Sequence, residues 1–186
     1  MNIFALDRNP SKAARMMADK HIPKMIVESV QMLVQAMLSN GAPAERMPLT
    51  KTKQEPHRGG YRAHPCTLWA GQSLDNWMWL FSHAEALCAE YTIRFGKTHY
   101  GESQIDHLWS AFVWERYMTK SGMTDFARAL NQSQGRNLDL LDENMDAVDA
   151  YRTFYLREKA RFAKWDRAPQ GPPSWWPIAP CEEVSR

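Results

Sequence analysis

HIPKMIVESVQMLVQAML (residues 21–38) is the stretch that decides the fold. Its apolar residues Ile22, Met25, Ile26, Val30, Met32, Leu33, Val34, Ala36 and Met37 cover about 200° of a helix at 100° per residue. His21, Lys24, Glu28, Gln31 and Gln35 recur at spacings of 3, 4, 3 and 4, so they share one stripe about 80° wide. A surface helix ordinarily carries a broad polar face. A helix this apolar is a core helix, and its thin polar stripe either lines a cleft or forms an exposed edge with a Lys24–Glu28 pair.

Working outward, the same logic gives an all-α chain. Asn9-Pro10-Ser11 opens a helix with Ser11 as its N-cap, running from about Lys12 towards Lys20. Pro23 fits the first turn of the next helix, which stops at Asn40-Gly41-Ala42-Pro43. Residues 40–65 hold four Pro and three Gly and read as a long loop, a kind that is usually functional inside a compact domain. Further helices are expected over Thr67–Phe95, Glu102–Lys120 and Asp146–Trp165, with 123–145 ambiguous. Only Asn2–Leu6 hints at a strand. The tail from Ala168, rich in Pro and carrying Trp175-Trp176, is expected to pack back on the rest. A chain of 186 residues suits one compact helical bundle, residues 1–186 forming a single domain.

Composition narrows the class. The N-terminus MNIFALDRNP lacks the apolar run of a signal peptide, and no stretch approaches 18 uncharged apolar residues. No membrane association is expected, and the anticipated location is the cytoplasm of a bacterial or phage-infected cell. The three cysteines, Cys66, Cys88 and Cys181, form no C-x-x-C. Cys66 reads as a buried thiol or a reactive one. The six histidines show no H-E-x-x-H motif and no i,i+4 pair, so neither metal nor cofactor is expected. Charge is uneven despite a net +2. Residues 152–167 carry Arg152, Arg157, Lys159, Arg161, Lys164 and Arg167 against Glu158 and Asp166, a local +4. Residues 51–64 carry Lys51, Lys53, Arg58 and Arg62 against Glu55, a local +3. Two basic segments suit a polyanion on one face, or ordinary solvated surface.

Three groups of residues could carry chemistry. On the stripe, His21 suits proton transfer, Lys24 phosphate binding or imine formation, and Glu28 base catalysis. In EPHRGGYRAHP (55–65), Gly59-Gly60 permits close backbone approach, Arg58, Arg62 and His64 offer donors, and Tyr61 offers a stacking face. After His64, Asn76, His83 and Arg94 are the more exposed polar candidates on a long helix, with His83 suiting a structural role more than that of a ligand.

MMADKHIPKMIVESV (16–30), GGYRAHP (59–65) and EYTIRFGK (90–97) together resemble the pyrimidine-dimer DNA glycosylase family of the phage endonuclease V type, and YRTFYLREKARFAKW (151–165) is loosely similar to its aromatic–basic C-terminal segment. The resemblance covers about half of the chain. It implies a small all-α enzyme that kinks DNA, flips a base and attacks the sugar C1′ with the α-amine of an N-terminal Thr, aided by a Glu. Carried over, Lys20 and Lys24 match basic phosphate-contacting positions, and His21 falls where the catalytic Glu belongs. Asn2 stands in place of the Thr, and a Met before Asn is ordinarily retained. Glu28 would replace the acid only through a shifted site.

The expected function is therefore an enzyme acting on a nucleobase or its glycosidic bond in DNA, a glycosylase-like hydrolase or lyase of DNA repair or a phage DNA base-modifying enzyme. Its partner would be double-stranded DNA with a damaged or modified base. His21, Lys24 and Glu28 are the catalytic candidates. Lys20, Gln31, Arg58, Tyr61, Arg62, His64, Asn76 and Arg94 are the DNA-binding candidates. The other classes are a non-catalytic DNA- or protein-binding helical module and an enzyme for a small anionic metabolite. No oligomeric state is specified.

Overall fold

The computed structural model describes residues 2–111 and 114–177. It is all-α, with no strand among the described residues. Six helices follow in order: α1 (Pro10–Met16), α2 (Ile22–Ser39), α3 (Pro65–Gln72), α4 (Leu74–Phe95), α5 (Tyr100–Ala111) and α6 (Ala147–Lys159). No helix among these residues is long and apolar enough to cross a membrane.

α2 runs through the core. Ile22, Met25, Ile26, Val30, Met32, Leu33, Val34 and Met37 are all buried, and the helix packs against α3, α4 and α5 while α1 packs on α4. Gly101 brings α5 close, since a Cβ there would meet Ile26 Cγ2 at 2.5 Å.

Several boundaries differ from expectation for local reasons. Asn9, not Ser11, caps α1, its side chain accepting the Lys12 N–H at 3.0 Å, because Pro10 with its fixed φ and missing N–H takes the first helical position. The helix ends at Met16 instead of near Lys20. There the Arg94 guanidinium donates to the carbonyls of Arg15 and Met17 at 2.8 and 2.7 Å, and Trp165 Nε1 to that of Met16 at 3.1 Å. Those side chains satisfy the carbonyls that another helical turn would have used.

The expected helix Thr67–Phe95 is two helices. Ser73 adopts an extended conformation and caps α4 through Oγ, accepting the Asn76 N–H at 3.1 Å. Asn76 is fully buried: it donates to Trp69 O and to Thr124 Oγ1 and accepts the Thr124 N–H. Arg94 is also buried, paired with Glu90 at 2.7 Å and Asp19 at 3.1 Å. The expected exposure of both residues is thus corrected: each satisfies buried backbone or charge. His83, expected among the more exposed candidates, is buried too, and its Nδ1 donates to Pro10 O at 2.9 Å.

α5 starts at Tyr100 and gives way before the short turn Trp114–Arg116. α6, capped by Asp146, stops at Lys159 and not at Trp165. Asn2–Leu6 is irregular, not a strand, because Asn2 accepts the Phe4 N–H on its own side chain at 2.8 Å and Phe4 takes φ +40. The ambiguous segment 123–145 is irregular, with short 3-10 turns at Ser133–Gly135 and Leu138–Leu141. Arg128 pins it by donating to the carbonyls of Leu140, Asp142 and Met145, and Tyr151 OH donates to Ala127 O at 2.6 Å. The tail does pack back: Trp176 lies 4.7 Å from Trp165, ring to ring. Cys66 is buried and its thiol pushed up to about 12 by desolvation, the inert alternative. Cys181 lies outside the described residues.

Candidate active-site cleft

A cleft of about 500 Å³ opens between α2, α6, the N-terminal segment and residues 128–132. Its geometry follows from α2. The helix is apolar almost all round, and the first half of its polar stripe faces this cleft. His21, Lys24 and Glu28 line the cleft from that stripe, and His64 joins them from the start of α3. His64 is fixed by capping α3, its Nδ1 accepting the Cys66 N–H at 3.2 Å.

Further along the stripe, the 55–65 loop covers the helix. A Cβ on Gly59 would lie 2.8 Å from Gln35, and one on Gly60 3.7 Å from Gln31. Gly59 therefore serves close approach to α2, whereas a side chain at residue 60 would meet Gln31 at ordinary contact distance. Gln31 packs under this loop. Arg58, Tyr61 and Arg62 are exposed on it, Tyr61 to 65%, and none of the three lines the cleft. Asn76 and Arg94 sit elsewhere, inside the fold.

Glu28 is the one acid among the described lining residues. Its Oε2 accepts the Asn2 backbone N–H at 2.9 Å and its Oε1 lies 3.6 Å from Lys24 Nζ. Asn2 is itself held by donating to Ala129 O at 2.7 Å. The next residues place the Phe4 ring flat on His21, with centroids 4.9 Å apart and planes 13° from parallel. The left-handed backbone of Phe4 costs about 1–2 kcal/mol for an L-residue. Such strain clusters at functional sites.

His21 is buried and stays neutral. Desolvation, then Lys159, Lys24 and Lys20, lower its pKa to about 4. Its Nδ1 lies 2.6 Å from Tyr155 OH, whose oxygen already accepts the Ala18 N–H at 3.0 Å. This leaves the phenolic proton available to Nδ1, an arrangement in which the imidazole carries its own proton on Nε2. Such a ring donates a hydrogen bond but holds no proton to give as an acid at neutral pH.

The opposite wall comes from α6. Lys159 Nζ stands 5.1 Å from the Phe154 centroid and 5.7 Å from that of Phe4. A second groove of about 490 Å³ shares His21, Lys24 and Lys159 with the cleft and adds Lys20, Arg161 and Phe162. Lys20 Nζ sits 5.0 Å from the Phe162 centroid. The continuous surface is basic, with Glu28 as its single described carboxylate, and suits a phosphodiester backbone. No group of three or more metal-ligating side chains occurs among the described residues.

Sequence reasoning missed Asn2, Phe4, Lys159, Arg161 and Phe162 as site residues. The basic run 152–167 carried a signal for two of them. Nothing local marked Asn2 or Phe4, whose role depends on where the N-terminal segment crosses α2.

A family model described as pyrimidine dimer DNA glycosylase matches residues 1–101. That span holds α1 to α4 and the stripe of α2, while α6 with Lys159 lies beyond it. No curated protein and no solved structure matches the chain.

Proposed function

The chain belongs to the pyrimidine dimer DNA glycosylase family, and on that premise we propose that it breaks the N-glycosidic bond of a damaged or modified pyrimidine in double-stranded DNA. The carrying observation is Glu28, a buried carboxylate hydrogen-bonded to the residue-2 nitrogen in a cleft whose other charged lining residues, Lys24, Arg128 and Lys159, are basic. The acid/base role goes to Glu28, not to His21, because a neutral imidazole with a pKa of about 4 is a poor acid near pH 7. Glu28 on this reading steadies the positive charge that develops at C1′ and shuttles the proton that opens the sugar ring. His21, held between Tyr155 and Phe4, offers Nε2–H to the substrate.

Lys20, Lys24 and Arg161 neutralise phosphates beside the cleft, and Arg58, Arg62 and Tyr61 extend the DNA-binding surface along the loop. A base taken out of the stack needs an apolar, enclosed partner surface, which Phe4 and Phe154 supply.

The test is base release from duplex oligonucleotides carrying a cyclobutane pyrimidine dimer or a modified pyrimidine. Wild-type protein is expected to release the base, and Glu28→Gln, which keeps an acceptor for the Asn2 N–H, to lose about 10²–10⁴-fold in rate. Tight binding of every duplex without release from any would leave the non-catalytic DNA-binding module as the better account.

A further inference from the structure

A glycosylase that works through a covalent sugar intermediate needs an uncharged amine in reach of C1′. The residue-2 nitrogen beside Glu28 does not qualify in this chain. Residue 1 precedes it, so it is a peptide amide, and its hydrogen is already donated to the carboxylate. Two lysine amines line the same cleft, Lys24 and Lys159. Lys24 is 67% exposed and its nitrogen is engaged by the Glu28 carboxylate at 3.6 Å. Lys159 differs on each count. It is half-buried between two phenyl rings, and no carboxylate among the described residues pairs with it.

We propose that Lys159 is the catalytic nucleophile of this enzyme, forming an imine with C1′ of the target deoxyribose; the proposal rests on the glycosylase reading above. Burial makes the free amine easier to reach than on an exposed lysine, while the faces of the two rings attract the ammonium. Burial lowers the Lys159 pKa first of all; Glu158 and Glu28 oppose this, while Lys24 and Arg161 add to it.

The step balances on groups in the cleft. The Nζ lone pair bonds to C1′ as the C1′–N bond to the pyrimidine breaks, its electron pair leaving with the base, which takes a proton from solvent. The new secondary ammonium passes one proton to the Glu28 carboxylate. Glu28 returns that proton to O4′ as C1′–O4′ opens, leaving a protonated imine between Nζ and C1′. Water then releases the sugar aldehyde and restores Lys159.

The experiment uses the full chain and a duplex with one abasic site, whose C1′ is already an aldehyde, so the identity of the damaged base does not enter. Cyanoborohydride reduces any imine to a stable amine, and digestion with mass spectrometry locates it. The adduct is expected on Lys159. It should disappear in Lys159→Arg and Lys159→Gln, checked for folding by thermal melting, and should stay on Lys159 in Lys24→Arg. An adduct on the amino terminus or on Lys24, or undiminished trapping by Lys159→Arg, overturns the proposal. Binding of the abasic duplex without any adduct also overturns it while leaving the glycosylase reading in place through direct attack by water. Neither binding nor adduct removes both.

Discussion

His21 and His83 meet the same physics in different surroundings. His83 is fully buried, its Nδ1 bonded to Pro10 O and its ring stacked 5.0 Å from Trp79. Desolvation takes its pKa to about 4, as it does for His21. Both folded-state values lie below the unfolded 6.5, so between pH 6.5 and about 4 the unfolded chain binds the extra protons. Their contribution is fully present above pH 6.5 and fades as pH falls to about 4, on the order of 3 kcal/mol for each. Melting temperature should therefore drop steeply over that window, and less steeply in His83→Gln. An imidazole NMR titration placing either ring near 6.5 would contradict this. The same neutrality predicts that the pH–rate profile shows no break from His21 near 6.5. By residue type alone His21 is the proton-transfer group, because the reference pKa of histidine suits the task. Burial, which the residue type does not report, takes His21 out of that role, and the proposed function places it on Glu28.

At the scale of elements, α2 and the loop laid across it form one unit. Gly59 takes φ +70 and its missing Cβ is what lets the loop rest on Gln35. Gly59→Ala is expected to cost about 1–2 kcal/mol in backbone strain alone and to lift Arg58 and Arg62 off their line, so DNA affinity should fall together with melting temperature. A variant with unchanged melting and unchanged affinity would show that the loop does not depend on this close approach. Arg94 makes the opposite case. Its guanidinium closes α1 and pairs with Glu90 and Asp19 inside the fold, and removing one partner of a buried ion pair costs about 3–5 kcal/mol. Arg94→Ala should thus lower stability sharply in denaturant melts, while the protein that remains folded binds DNA as before. The helical periodicity of α2, its Pro near the start and the glycine stop of α4 were all legible locally. The break at Ser73 was not, because Asn76, whose N–H the Ser73 hydroxyl caps, is held in place by Trp69 and Thr124.

For the whole molecule, the two basic segments act through where they lie. Arg161 and Lys20 flank one groove although 141 positions separate them in the chain. Replacing both by Ala should weaken binding to all duplex sequences about equally and lower the salt slope by roughly one for each phosphate no longer neutralised. A slope identical to wild type would remove this groove from the DNA path. The sequence by itself determined the all-α class, the core face of α2 and the existence of its narrow polar stripe, because these follow from a 3.6-residue period and from which side chains avoid water. It also held His21, Lys24, Glu28 and His64 as candidates, since their types and spacing are local. Tertiary structure alone decided which polar residues reach solvent and which are spent inside. It buried Asn76 and Arg94, ran Asn2 and Phe4 past Glu28 and His21, and set Lys159 of α6 opposite α2. The physical reason is that desolvation and long-range pairing depend on neighbours up to about 150 positions away along the chain.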